Sequence, residues 1–293
     1  MISVFNAPPE LRARALQLLD QVERVVLVDD GSASLDLQDV SGDKVIQIRL
    51  EQNLGIATAL NVGVERARSL GATHVLTLDQ DSDLDPDHVL DLLGALRREE
   101  HSGAPVAAAV PAYVGGVHIL MTEDGQPFDP IQSGQLIPVE IFESIGGFDE
   151  SLFIDAVDSE FTARARRAGF RFVSEEGVSM RHELGEAVPF TIFGRHVVLA
   201  GKPRHVLYHQ PWRTYYMVRN SLFLKREYFS DDKFWVRRRN RHMLEMVFAC
   251  VLFGPSRRSH VLAISRARRD ARAGTYGRIP ESTLADLRKR ERS

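Results

Sequence analysis

Short apolar runs alternate with longer stretches of helical spacing through the first hundred residues. Ile2 to Phe5 predicts a strand, followed by a helix from about Pro9 with Leu11, Ala15, Leu18 and Leu19 on one face. Val25 to Val28 predicts a second strand, stopped by the turn Asp29-Asp30-Gly31-Ser32. Lys44 to Leu50 predicts a third, and Gly55 to Leu70 sets Ile56, Leu60, Val64 and Ala67 at helical spacing with Gly71 as terminator. Val75 to Leu78 is a fourth strand ending at Asp79, after which Asp85 is expected to cap a helix begun by Pro86, with Val89, Leu92, Leu93 and Leu96 inward. Strands alternating with helices of this length predict an α/β fold, a mostly parallel sheet with helices on both faces. Ligands bind outside the carboxyl ends of such strands. Those ends carry Asn6, Asp29, Asp30, Asp79 and Asp81.

From about residue 205 the pattern changes to Arg- and aromatic-rich helices over Tyr208 to Tyr228, Phe234 to Phe253 and Ser259 to Ala273, the last two separated by Gly254-Pro255-Ser256. A boundary near residue 200 divides the chain into a domain of residues 1–200 and a helical extension of residues 201–293. Charge follows the division: residues 195–293 hold 23 Lys+Arg against 8 Asp+Glu, leaving 14 against 32 in residues 1–194. An acidic part that handles cations or cation-bound ligands is thus joined to a basic part that faces an anion, unless the halves simply attract each other. At 44% hydrophobic and 26% charged, the 293 residues exclude disorder and low-complexity scaffolds. Cys250 is the one cysteine, which excludes an internal disulfide and a multi-thiolate zinc site and fits a reducing, intracellular home. Pro8 interrupts the start before a signal-peptide core develops, so the start reads as structure.

The sharpest chemical signal is Asp79-Gln80-Asp81. Carboxylates spaced by one residue on an extended segment point the same way. Such a pair suits Mg²⁺ or Mn²⁺, which keeps waters and takes further ligands from phosphate oxygens. A calcium loop through Asp79, Asp81 and Asp83 fails, because Leu84 stands where Gly is needed and Leu90 where the bidentate Glu should be. Asp83, Asp85 and Asp87 read as acids that solubilise a turn and cap the next helix. The acid-rich segment Ile145 to Phe161 opens a helix, placing Asp158 near the positive end of its dipole in the ionised form a base requires. Helix N-termini also attract acids for stability alone. His182, in Met180-Arg181-His182, is a lone histidine that suits surface or core as well as a ligand site.

Taken in order, Phe5-Asn6, VLVDDGS at 26–32, NLGIATALNVG at 53–63, TLDQDS at 77–82, SGQLI at 133–137, GGFDESLFIDAVDSEF at 146–161 and His182 resemble the inverting, family-two glycosyltransferases with the nucleotide-diphospho-sugar (GT-A) fold. PWRTYYMVRN at 211–220 makes the chain most similar to the bacterial rhamnosyltransferases of O-antigen and related cell-surface polysaccharide synthesis. The resemblance implies that Asn6, Asp29 and Asp30 line the nucleotide pocket, one Asp accepting from the base, and that Asn53 and Gly55 shape its other wall. It places Asp79, Asp81 and His182 at the metal or diphosphate and Asp158 as catalytic base. The chain has Val157-Asp158 where the family frequently has Glu-Asp, and Val4-Phe5 where Thr-Tyr often precedes the Asn. The implied donor is dTDP-L-rhamnose, and the implied acceptor a glycan or lipid-linked sugar.

Two other classes compete. A Mg²⁺-dependent phosphohydrolase uses the first Asp of Asp-x-Asp as nucleophile, but leaves the DDGS turn and GGFDE unexplained. A non-catalytic carbohydrate or nucleic-acid binder is suggested by the basic extension, and the intact set of Asp81, Asp158 and His182 speaks against it. The apolar stretch Met246 to Phe253 lies between Arg237, Arg238, Arg239 and Arg241 on one side and Arg257, Arg258, Arg266, Arg268 and Arg269 on the other. Eight apolar residues are far fewer than the roughly 20 that span a bilayer. They suit an interfacial helix on an anionic membrane, the inner face of the plasma membrane for a cytoplasmic enzyme, or packing on protein, with a homodimer left open. No nucleic-acid-binding motif accompanies the charge.

Overall fold

The computed structural model describes residues 1–33, 43–103, 105–182, 186–189, 191–192, 195–199, 202–203 and 205–291. The elements up to the first long strand-to-helix change are β1 (Ile2–Val4), α1 (Leu11–Leu18), β2 (Val25–Asp29), β3 (Val45–Arg49), α2 (Ile56–Ser69), β4 (His74–Asp79), β5 (Asp83–Leu84) and α3 (His88–Ser102). There follow β6 (Val106–Val114), β7 (Val117–His118), β8 (Gln135–Pro138), α4 (Val139–Ile145), α5 (Val157–Arg167) and β9 (Arg171–Arg181). These strands form one mixed sheet of order β3-β2-β1-β4-β8-β6-β9-β5, with β7 hydrogen-bonded to β6. Its first four strands run parallel, as the alternation of strands and helices predicts. Beyond β4 the direction changes: β8 is antiparallel to β4 and β6, and β5 to β9.

β2 is buried along its whole length, as expected of a parallel strand covered on both faces. Leu11, Ala15 and Leu18 of α1 and Leu92, Ala95 and Leu96 of α3 share one core with Ile2, Val4, Leu27, Leu76 and Leu78. On the opposite face α2 lies against Val28, the neighbour of its Gly63. Val4 stands opposite Asp29 and Ser3 opposite Asp79, so the carboxyl ends of β1, β2 and β4 are level. That register collects the polar residues of three separate loops along one edge.

Two expectations shift. α3 begins at His88, not Asp85, because the Asp85 carboxylate accepts from Ser179 Oγ at 2.6 Å and its carbonyl from His88 N–H at 3.2 Å. Tyr208 belongs to a strand, and the helix that follows starts at Pro211.

Contacts divide the chain into two compact units, Met1–Phe153 with Val157–Glu183, and Ile154–Ala156 with Leu184–Ser293. Residue 200, the expected boundary, lies outside the described residues. Among the described residues the second unit holds three short antiparallel strand pairs and α6 (Pro211–Tyr228), α7 (Lys233–Phe253), α8 (Arg257–Ala273) and α9 (Glu281–Glu291). α6 is its central helix, packed on α7, α8 and α9. Within α6 the fully buried Arg219 is enclosed by the rings of Tyr215, Tyr216 and Tyr276 and donates to Gly277 O at 2.6 Å, which makes burial of the charge tolerable. Among the described residues no helix is long and apolar enough to cross a membrane.

Candidate active site

β4 ends at Asp79, and a turn follows in which Ser82 N–H reaches Asp79 O at 3.4 Å. Asp79 and Asp81 therefore converge by a turn, not by strand alternation. His182 joins them through the β5–β9 ladder: Asp83 pairs with Arg181, so the preceding Ser82 meets the following His182, 100 residues away. Ser82 Oγ lies 3.1 Å from His182 Nδ1, and Asp81 Oδ1 lies 3.6 Å from the same nitrogen. Ligand atoms of Asp79, Asp81 and His182 all lie within 4.8 Å of one another. Two carboxylates and an imidazole at this spacing fit a hard divalent cation with open positions for oxygen ligands. Asp83 is turned away into an ion pair with Arg14 at 2.7 Å, which raises the guanidinium pKa.

The strand-end loops on the other side of β1 are tied together by side-chain to backbone bonds. Asp29, 2% exposed, accepts from Ser32 N–H (3.0 Å) and Ser32 Oγ–H (2.5 Å), and Ser32 Oγ accepts from Asn6 N–H at 2.7 Å. Arg49 Nε lies 3.5 Å from the second Asp29 oxygen. Asp30 accepts from Leu54 N–H (2.6 Å) and Gly55 N–H (2.9 Å), so its carboxylate receives the start of α2, whose N-cap glycine has no side chain to do so. Gly31 has φ +74°, and a Cβ there would stand 2.4 Å from the backbone of Gln52. Gly55, at φ +96°, would place one 2.5 Å from Phe153 O. Both sites exclude other residues on grounds of space and conformation. Asn53 Oδ1 is buried with no hydrogen-bond partner, an acceptor that a bound donor group could satisfy. Asn6 itself is exposed at φ +52°.

Asp158 is the second residue of α5 and accepts from Ser159 N–H at 2.8 Å. Its helix neighbour Glu160 is committed to Arg164 by two bonds of 2.9 and 2.8 Å, and Arg164 also donates to the carbonyls of Gly146 and Gly147. Asn61 adds a pair of bonds to the backbone of Phe148, whose ring packs with Phe142 and Phe161. The GGFDE segment thus acts as the mounting of α5.

Residues 129–133 link this helix to the cation group: Asp129 Oδ2 accepts from Ser159 Oγ at 2.9 Å, Gln132 donates to Asp79 Oδ1, and Ser133 Oγ accepts from Asp79 N–H at 3.0 Å. Sequence reasoning missed Asp129, Gln132 and Ser82. The signals that could have found them are SGQLI, which opens one residue after Gln132, and TLDQDS, which ends at Ser82.

The model of glycosyl transferase family 2 matches residues 1–134. A Shigella flexneri protein described as dTDP-rhamnosyl transferase RfbF is 31% identical over 250 residues, 78% of this chain and 79% of that protein. By fold the chain is similar to TarS of S. aureus, with a TM-score of 0.57 at 15% identity over 97% of this chain and 49% of that one, so it spans about half the length of TarS. TarS 1-349 in complex with UDP-GlcNAc gives 0.52 at 16% identity over 95% and 92%. GalNAc-T7 with UDP, GalNAc and Mn²⁺ gives 0.53 at 12% identity over 94% and 57%.

Proposed function

The chain belongs to glycosyl transferase family 2 and is a glycosyltransferase, and we propose that it moves L-rhamnose from dTDP-L-rhamnose, with inversion, onto a glycan or lipid-linked acceptor in cell-surface polysaccharide synthesis. The observation that carries the reading is the Asp79, Asp81 and His182 group at the end of β4, level with the ends of β1 and β2. The relative described as a dTDP-rhamnosyl transferase supports the donor.

In this reading Asp79, Asp81 and His182 hold the divalent cation, Mg²⁺ or Mn²⁺, with the donor diphosphate beside it. When bound, the cation supplies positive charge against the departing nucleoside diphosphate. Asn6, Asp29, Asp30, Asn53 and Gly55 form the nucleotide pocket. Asn53 Oδ1, buried with no hydrogen-bond partner, is an acceptor offered to the base, beside the second Asp29 oxygen, which lies 3.5 Å from Arg49 Nε. Asp158 takes the proton of an acceptor hydroxyl as that oxygen bonds to the anomeric carbon and the bond from that carbon to the diphosphate oxygen breaks. One displacement from the opposite face inverts the anomeric centre. The catalytic domain is residues 1–200. The basic region of residues 201–293 holds the enzyme at the inner face of the membrane, supported by Phe234, Leu244, Phe248 and Leu252 lying exposed on the Arg-rich α7.

Calorimetry of a panel of nucleotide sugars with and without Mn²⁺ tests this directly. dTDP-L-rhamnose is expected to bind tightest and only with Mn²⁺, and Asp81→Ala to lose that Mn²⁺-dependent affinity. Equal affinity for uridine- and thymidine-linked sugars would overturn the donor, and an unaltered Asp81→Ala protein would overturn the cation site.

A further inference from the structure

Gln132, Ser133 and Ser82 are buried polar residues with no step in the reaction above, yet each bonds to a member of the cation group or to its backbone. Burying three polar side chains together costs free energy unless their hydrogen bonds offset it. We propose that they are positioning residues for the cation ligands: Gln132 fixes the plane of the Asp79 carboxylate, and the Ser133–Ser82 pair holds His182 in the tautomer with hydrogen on Nδ1. The inference rests on the cation site of the preceding section and deepens it.

The direction of the hydroxyl chain carries the argument. Ser133 Oγ accepts from Asp79 N–H and donates to Met180 Sδ at 3.8 Å, which spends its single hydrogen. Either oxygen of the 2.8 Å pair of serines can donate, and with the Ser133 hydrogen on Met180 Sδ the pair runs from Ser82 O–H to Ser133 Oγ. Ser82 is left with only lone pairs towards His182 Nδ1, so that nitrogen is the donor. The opposite direction, from Ser133 through Ser82 to an unprotonated Nδ1, would leave Met180 Sδ unused and point a lone pair at Asp81 Oδ1, 3.6 Å away. An anionic oxygen that has no hydrogen-bond partner favours hydrogen at that place instead. With Nδ1 protonated, Nε2 keeps the lone pair that a cation can take, the arrangement in which a partner of one ring nitrogen sets the ligand role of the other.

Gln132 acts on the neighbouring ligand. Gln132 is 6% exposed, its amide N–H donates to Asp79 Oδ1, and it stands next in sequence to the serine that receives the Asp79 N–H. Backbone and carboxylate of Asp79 are therefore both held by residues 132 and 133.

The tautomer is read in the unaltered, ion-free protein by long-range ¹H–¹⁵N correlation on histidine-labelled material, and affinity for Mn²⁺ alone by EPR. His182 is expected to show the Nδ1–H pattern, Ser82→Ala to give a mixture with Nε2–H, and Ser82→Thr, which keeps the hydroxyl, to restore it. Gln132→Ala and Ser82→Ala should each bind Mn²⁺ about 10-fold more weakly, the lower end of the range for partners of metal ligands. An Nε2–H tautomer in the unaltered protein overturns the inference without any variant. So does Mn²⁺ affinity within twofold in both variants while Asp81→Ala loses it. If Asp81→Ala retains full Mn²⁺ affinity, the cation site itself falls, a result distinct from failure of its supporting residues.

Discussion

Asp158 follows a turn of unusual backbone: Phe153, Asp155 and Ala156 all have positive φ, at +68°, +61° and +65°. Such conformations cost roughly 1–3 kcal/mol each and cluster where geometry serves function. Within the second unit the turn is secured by Asn220, which donates to Ile154 O at 2.8 Å and Asp155 O at 2.7 Å, and by Arg213, 3.1 Å from the Asp155 carboxylate. Asp155 and Glu160, the acids that flank Asp158, are bonded to Arg213 and Arg164. Asp158→Asn keeps the shape of the side chain while removing its basicity. Single-turnover rates should fall by about 10²- to 10⁴-fold, with donor affinity by calorimetry within twofold. Turnover above a tenth of the original would transfer the role to another group.

At the scale of elements, α7 shows how one helix serves two surroundings. Trp235, Val236, Met243, Val247 and Cys250 are buried, while Phe234, Leu244, Phe248 and Leu252 are exposed on its other side. Met246 to Phe253 thus divides, part packing on protein and part facing outward. The arginines divide as well. Arg239 donates to Ser221 Oγ at 2.8 Å and belongs to the packing of α6 on α7, whereas Arg237 and Arg241 are exposed. An anionic surface gains about 1 kcal/mol per basic residue near it. Liposome flotation should therefore recover the protein on anionic vesicles, less in high salt, and less again when Arg237 and Arg241 become Ser. Equal recovery on neutral and anionic vesicles, or none on either, would remove the membrane from the proposal.

The whole molecule carries its charge unevenly, and its response to acid has an identifiable source in the second unit. His260 is fully buried, bonded through Nδ1 to Thr214 Oγ1 at 2.9 Å and packed edge-on to Tyr208. Burial first, and the nearby charge of His209 second, push its pKa down from 6.5 to about 4. Protonation is therefore easier in the unfolded chain, so stability is complete above pH 6.5 and declines as pH falls towards 4. At pH 5 the loss against pH 7.5 should be about 2 kcal/mol. Urea unfolding of the protein and of His260→Gln at the two pH values checks it. The variant should show a smaller difference, and an identical one would assign the acid sensitivity elsewhere.

Much of this protein is legible in local pattern. The short apolar runs of Ile2 to Val4, Val25 to Asp29 and His74 to Asp79 dictate buried strands whose ends bear Asn6, Asp29, Asp30 and Asp79, because a parallel sheet aligns those ends whatever lies between them. Ordered motifs carried the family, helical spacing carried α2, and the Arg- and aromatic-rich stretches split at Gly254-Pro255-Ser256 carried α7 and α8. Other features needed the tertiary structure. His182 meets Ser82, 100 residues away, and with it Asp81, only because two-residue β5 pairs with the end of β9, a contact that leaves no period in the chain. Asp30 turned out to hold the start of α2, and Asp85 to bond Ser179 instead of capping α3. Gln132 and Ser82, unremarkable as residue types, gain their place beside Asp79 and His182 from the packing of separate loops. Periodicity reports which face of an element is buried; which polar groups then find each other is decided by strand pairing and by the requirement that buried donors and acceptors be satisfied.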